Sequence, residues 1–361
     1  MKKVKIVILF LLLYGRLWAQ DTLTLTFVGD VMMHQTQINS AKTSEGYQLD
    51  DCFSYIYPHL STADITIANL EVTLAGEPYS GYPQFSAPDA LVEALQRAGV
   101  DVLLTANNHS CDKGKMGVER TLQVLDSLNL LHTGTFYDSL HHRRATPLLL
   151  IKNNFEMALL NYTYGTNDIP VPAPTVVNLI DTVQMLADIE QAKTLQPDII
   201  AVALHWGDEY QLYPNKTQRN LADFLARNGV RLIIGSHPHV LQPIEALYAA
   251  DSTVETVVVY SQGNFISNMT AANTDIGTLV NIRLIKYNDK VIINHVGYTY
   301  VWTYKPQVEG QRRFYVLPAA KYENNKEFLK NIANYKRMTN ALSAMRALYT
   351  KANKGPVEED K

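Results

Sequence analysis

The sequence predicts an α/β fold, on three observations. From Leu23 onward, short β-branched runs alternate with longer amphipathic stretches, the order expected of strands separated by helices. The runs exit into Asp, Glu, Asn or His, residue types that bind metals and move protons. The chain of 361 residues, 47% hydrophobic and 19% charged, is long enough and ordinary enough in composition to bury a large core. One large domain over residues 20–320 accommodates the pattern, with a signal peptide over 1–19 before it and a helix with a disordered tail over 321–361 after it.

Buried strands are expected at Leu23–Val28, Asp64–Ala68, Asp101–Thr105, Asp198–Leu204 and Arg231–Ile234. Between them, Ala90–Ala98, Gly117–Leu128, Thr182–Leu195 and Thr217–Asn228 carry apolar residues at helical spacing. Pro88 and Asp89 open the first helix, and Gly229 closes the last. After Gly235 the runs Val240–Leu247, Thr256–Ser261, Thr278–Tyr287 and Val291–Val301 follow one another without a long helix, which predicts a second, more antiparallel sheet. Asn288-Asp289 between two of them reads as a hairpin turn. Glu327–Leu348 is a final helix and Lys354–Lys361 a disordered polar tail. The loop Gly165–Thr175, stiffened by Pro170, Pro172 and Pro174, reads as an extended connector.

The amino terminus has the pattern of a secretory signal: Lys2, Lys3 and Lys5 precede the apolar run Ile6–Tyr14, and Leu17-Trp18-Ala19 places a cleavage boundary at Ala19. Leu17 is larger than that boundary prefers, so an uncleaved anchor stays open, although the run is too short to span a bilayer comfortably. The protein is therefore expected outside the cytoplasm, periplasmic or at the cell surface. No cysteine stands at the processing site of a lipoprotein. Cys52 and Cys111 can pair in an oxidising compartment, but neither has a neighbour at metal-ligand spacing. A formal charge of -3 provides no overall positive field for nucleic acid, and the run His141-His142-Arg143-Arg144 reads as a solvated loop.

In open α/β sheets, ligands bind beyond the carboxyl ends of the strands. Here those ends deliver Asp30, Glu71, Asn108 with His109, His205, and His237 with His239. A lone histidine after a strand is ordinarily a hydrogen-bonded structural residue, yet structure alone does not account for such residues at every one of these exits. Pro238 favours an extended segment in which His237 and His239 point to one side. Carboxylate, amide and imidazole without thiolate suit Mn²⁺, Fe²⁺ or Zn²⁺, one ion or two.

The motifs Gly29-Asp30, Asn69-Leu70-Glu71, Asn107-Asn108-His109 with Asp112, His205-Trp206-Gly207 with Glu209-Tyr210, Ser236-His237-Pro238-His239 and Tyr260-Ser261-Gln262-Gly263-Asn264-Phe265 resemble those of the CapA family of poly-γ-glutamate capsule synthesis proteins. That family is related to the calcineurin-like metallophosphoesterases, and the resemblance covers roughly Leu23 to Val301. It implies a four-layer α/β/β/α sandwich. It also implies that Asp30 and His239 hold one metal, that Asn108, His205 and His237 hold a second, and that Glu71 bridges the two. His109 would be the general acid, oriented by Asp112. Trp206, Glu209 and Asn264 are candidate substrate contacts. Two departures stand out: Met32 occupies the place of the first motif's histidine, with His34 reaching the site only if the chain turns helically after Asp30, and glutamate replaces the usual bridging aspartate.

Two functions follow as expectations. The first is a metal-dependent hydrolase acting on a phosphoester or on an anionic envelope polymer of poly-γ-glutamate type. The second is a non-catalytic subunit that binds the polymer beside a membrane-bound synthetase.

Overall fold

A computed structural model describes residues 21–287, 290–329 and 331–359. The predicted signal peptide and the hairpin residues Asn288-Asp289 lie outside them. Two sheets carry the architecture. In the first, Leu131–Thr133, Val102–Leu104, Ile65–Leu70 and Asp21–Val31 run parallel, and the antiparallel strands Ile276–Tyr287, Lys290–Tyr304 and Tyr315–Pro318 extend it. In the second, Phe155–Thr163, Ile199–His205, Leu232–Ser236 and Val254–Gln262 run parallel, with Leu148–Lys152 and Leu241–Tyr248 antiparallel at its edges. The sheets meet in register at Val254 opposite Ile293, and Gly263, just past the end of Val254–Gln262, bridges Gly277.

Alternation along the strands explains the layers. Leu23, Leu25 and Phe27 face inward onto Met157, Leu159, Ala201, Ala203, Ile234 and Val259 of the other sheet in one buried cluster. Val28, Ala68 and Leu103 face outward onto Leu91, Leu95 and Leu125 of the helices Ala90–Arg97 and Gly114–Ser127. On the second sheet, Leu160, Val202 and Ile233 face Met185, Ile189, Leu221 and Leu225 of Thr182–Thr194 and Lys216–Arg227. The result is the expected four-layer α/β/β/α sandwich. Truncating a fully buried inward side chain such as Leu25 to alanine should cost about 2–5 kcal/mol.

The late strands differ from expectation. They form no sheet of their own: Leu241–Tyr248 and Val254–Gln262 complete the second sheet, while Ile276–Tyr287 returns to pair with Asp21–Val31 in the first. Both sheets had open edges, and burying the apolar faces of these strands required joining them. A hairpin was not foreseen at Leu148–Lys152 and Phe155–Thr163. It turns on Asn153 and Asn154, both at positive φ (50° and 65°), the conformation that a tight I′ turn needs and that asparagine tolerates. The final helix is Ile332–Ala352, capped by the Asn331 side chain on the Ala333 N–H (2.8 Å), with a separate turn at Lys326–Leu329.

The tail is not disordered over its described length. Val357 and Glu358 pair with Gly297 and Tyr298, Arg346 grips the Glu358 carboxylate, and Glu359 meets His295 at 2.7 Å. Complementary charge supplies what the polar sequence lacked in apolar anchors. Among the described residues no helix is long and apolar enough to cross a membrane, and Cys52 and Cys111 are free thiols. The basic run sits on the surface helix Ser139–Ala145, capped by Asp138.

Candidate metal centre

Every strand exit named above opens at one end of the sandwich. Asp30 is brought there by a bulge: the pairing with Ile65–Leu70 slips between Val28 and Asp30, so that Asp30 stands beside Asn69. The slip needs Gly29, because a Cβ there would lie 1.9 Å from the Gly263 carbonyl oxygen. Asn69 donates to Asp30 Oδ1 at 2.7 Å and approaches His205 Nδ1 at 3.3 Å. Asn107 fastens the next loop, donating to the Leu70 carbonyl (2.7 Å) and accepting the His109 N–H (3.0 Å).

The side chains converge in three overlapping groups, each with ligand atoms within 4.8 Å of one another: Asp30, Glu71 and His239; Glu71, His205 and His237; and Glu209, His237 and His239. Glu71 is common to the first two. Its carboxylate is fully buried, both oxygens lack a hydrogen-bond partner, and His205 Nε2 and His239 Nε2 stand 3.7 and 3.8 Å from Oε1. Asn108 Oδ1 faces His205 Nε2 at 2.9 Å while its amide N–H donates to Asn167 at 3.2 Å, which aims the oxygen inward. Behind the ring, Ser236 Oγ lies 3.1 Å from His205 Nδ1. His239 Nδ1 lies 3.0 Å from Asn264 Oδ1 and 3.3 Å from Asp30 Oδ2.

His237 and His239 reach the cluster by a route that corrects the extended segment expected around Pro238. Their φ angles are 98° and 58°, so the backbone twists through the left-handed region twice. Proline removed the α option at His237; the turn, rather than a two-residue alternation, gathers both rings. Non-glycine residues held there store strain of order 1–3 kcal/mol each, typical of sites that the surrounding structure over-determines.

Electrostatics tell whether a cation fits. Burial, with the Asp30 carboxylate alongside, pushes the Glu71 carboxyl well above its usual range. Burial, then the neighbouring imidazoles, drives His205 well below its usual value and His237 down to about 3. At His239 burial disfavours the charge, but the hydrogen bond and charge of Asp30, with the Glu209 charge and the Asn264 hydrogen bond, together outweigh it and the value rises. A buried carboxylate without a donor, beside the two imidazoles of His205 and His237 that burial holds neutral, is unfavourable on its own. A divalent cation reverses each term, and oxygen with imidazole nitrogen is the donor set that such ions take. The cluster can therefore bind metal.

Beside it, His109 Nδ1 meets Asp112 Oδ2 at 2.8 Å, and the same oxygen accepts the Phe85 N–H at 2.7 Å. The Phe85 ring packs edge-on against His109, with centroids 4.6 Å apart. His34 does not join the cluster. The chain stays extended through Val31, and His34 instead caps the helix Gln35–Ala41, its ring against Phe85; Met32 is buried in the outer core.

Of the expected substrate contacts, only Glu209 is exposed. Trp206 is buried, stacks on Tyr260 and donates to its carbonyl at 2.9 Å, while Asn264 is buried behind His239. Asn264 thus holds the His239 ring, and Trp206 packs among the apolar side chains of the second sheet and its helices. The loop read as a connector does more than connect: Asn167 holds Asn108, and Tyr164, just before it, covers His237 with ring centroids 4.6 Å apart. Asn69, Ser236, Tyr164 and Asn167 went unassigned in the sequence. Asn69 alone left a signal there, standing two residues before Glu71 on the same face of a strand.

A four-layer sandwich gathers carboxylates, amides and imidazoles at its strand ends, in groups that could hold a metal ion. The chain belongs to the bacterial capsule synthesis protein PGA_cap family, whose profile matches residues 24–269. It is 30% identical over 303 residues to the PGA biosynthesis protein CapA of Bacillus subtilis, covering 78% of this chain and 76% of that one. It is 27% identical to the capsule biosynthesis protein CapA of Bacillus anthracis, covering 73% and 64%. Among solved structures, the calcineurin-like phosphoesterase YfkN of Bacillus subtilis aligns over 91% of this chain and 99% of its own, at 14% identity and a TM-score of 0.48.

Proposed function

We propose that this is an exported protein of capsule biosynthesis that hydrolyses a bond in an anionic envelope polymer or in a phosphoester, using divalent metal held by Asp30, Glu71, Asn108, His205, His237 and His239. The observation that carries the reading is the buried Glu71 carboxylate, unpartnered and shared between two ligand groups. When bound, the metal would supply Lewis acidity and a water of lowered pKa. The protein's own part is positional. Asp112, fixed by the Phe85 N–H, holds the His109 ring so that Nε2 can carry a proton to a leaving group. Tyr164 and Phe85 keep bulk water from the rings they cover.

A non-catalytic polymer-binding subunit of a membrane synthetase is the second reading. The buried Met32, in the place of a metal-ligating histidine, is the feature in its favour.

One experiment separates them. Metal content and hydrolysis of poly-γ-glutamate and of bis(p-nitrophenyl) phosphate are measured for the wild type, His109→Ala and a His237→Ala, His239→Ala double variant. The hydrolase reading expects metal in the first two, none in the third, and turnover only in the wild type, with a loss of about 100-fold or more at His109→Ala. Bound metal without turnover on either substrate favours the subunit; no metal after reconstitution with Mn²⁺, Fe²⁺ and Zn²⁺ removes the hydrolase.

A further inference from the structure

At the end of the sandwich that carries the metal cluster, a cavity of ≈ 870 Å³ opens between Lys305, Arg312 and Phe328, within the range of about 300–1,000 Å³ that ligand sites occupy. Lys290–Tyr304 leaves the first sheet here, since its end pairs with Ile276 at the start of the next strand, on the side where Asp30 lies. Lys305 follows at once and lines the cavity with Arg312, Tyr304 and Tyr315; Glu309 is the acid of the described lining.

Lys305 is the unusual group. Its side chain is half-buried, and among the described residues one of its ammonium's three N–H donors is taken, by the Met269 carbonyl at 2.6 Å. Asp275, the nearest acid, is already engaged by Arg337. Among the described residues Arg312 has no carboxylate partner either. A half-buried cation with spare donors at the foot of a cavity is a feature that an anion completes.

The cavity is linked to the cluster. Met269, which accepts from Lys305, receives through its sulfur the Asn264 amide at 3.3 Å, and Asn264 holds His239 at 3.0 Å. His34 lies between, within electrostatic reach of both Lys305 and His239.

We infer that this cavity is an anion subsite, in which Lys305 and Arg312 hold carboxylates of a polymer chain whose neighbouring bond lies at the metal cluster. The inference rests on the polymer reading of the site and deepens it.

Its test is binding of a fluorescein-labelled γ-linked penta-glutamate to the full chain in EDTA, read by anisotropy, for the wild type, Lys305→Met and Arg312→Gln, with metal content measured in parallel before chelation. The expected losses of affinity are roughly tenfold and roughly threefold, at unchanged metal content. Arg312 is on the surface, so its variant reads the subsite even if Lys305→Met unfolds. Wild-type affinity in both variants overturns the subsite, as does free glutamate binding as tightly as the pentamer or loss of metal from Lys305→Met. The failure of the hydrolase reading looks different: pentamer bound and weakened by both substitutions, but no metal in the wild type.

Discussion

The two sheets bring different chemistry to the cluster and hold it in different ways. The first sheet contributes oxygen: Asp30, Glu71 and Asn108, positioned by sheet register and by the Asn69 and Asn107 amides. The second contributes nitrogen: His205 at a strand end, then His237 and His239 on a backbone twisted through positive φ. The oxygen side is thus fixed by a bulged strand pair and by amide hydrogen bonds, and two of the three imidazoles by a strained turn. A bulge and hydrogen bonds place side chains without unfavourable dihedrals, whereas a turn through positive φ at histidine holds strain in the backbone itself.

Breaking the oxygen side should have the largest effect. Glu71→Gln removes the charge shared by both ligand groups, and metal affinity should fall by more than about 100-fold, measured as metal retained after dialysis. Retention of a full complement would mean that Glu71 is a buried acid and no ligand. On the nitrogen side, His237→Gly should likewise empty the second ligand group, yet raise the stability of the metal-free protein by about 1 kcal/mol, because glycine accepts φ near 98° without strain. Denaturant melts in EDTA decide this, and a destabilised variant would show that the turn is relaxed. Ser236→Ala, which takes the hydroxyl from behind His205, should weaken metal binding by about tenfold while leaving the fold intact.

The smallest effect is on the pH dependence of the metal-free protein. His205, His237 and His34 have folded values below the ordinary 6.5, so the unfolded chain binds more protons there and stability rises with pH toward 6.5. Glu71 is shifted upward from 4.5 and His239 from 6.5, so each makes stability fall as pH rises past those values. His141, also lowered, adds a fourth rising contribution, and the four oppose one falling below pH 6.5; above it the falling ones act, opposed by Lys305 only as pH nears its folded value of about 8. In EDTA the Tm should therefore peak near pH 6.5 and drop by roughly 2–4 °C toward pH 8. Saturating Mn²⁺ should flatten the upper limb; a Tm that keeps climbing to pH 8 would contradict the shifts.

The same contrast explains what was legible in the sequence. Asp30, Glu71 and His205 could be read because a buried strand announces where it stops, and the residues about the stop are those that reach the cluster. The layers could be read because Leu23, Leu25 and Phe27 alternate with Val28 beyond them. His237 and His239 were found, but with the wrong backbone, since a left-handed turn at histidine has no sequence signature. Tyr164 and Asn167 were missed because they follow a strand, Phe155–Thr163, that is buried on nearly all positions and shows no alternation. Trp206 and Asn264 look like ligand-binding residues in a motif; only packing shows that they face inward.

The bulge at Gly29 aims Asp30 into the cluster from the far end of the first strand, and Asp21 begins that strand at the opposite end of the sandwich. Nine residues of extended chain separate the two, about 30 Å. The last described residues lie nearer the middle of the first sheet, with Glu359 against Asn281, the partner of Thr26, and against His295. The described chain therefore begins at the far end of the strand whose other end carries Asp30, so the cluster and Asp21 lie on opposite ends of the sandwich.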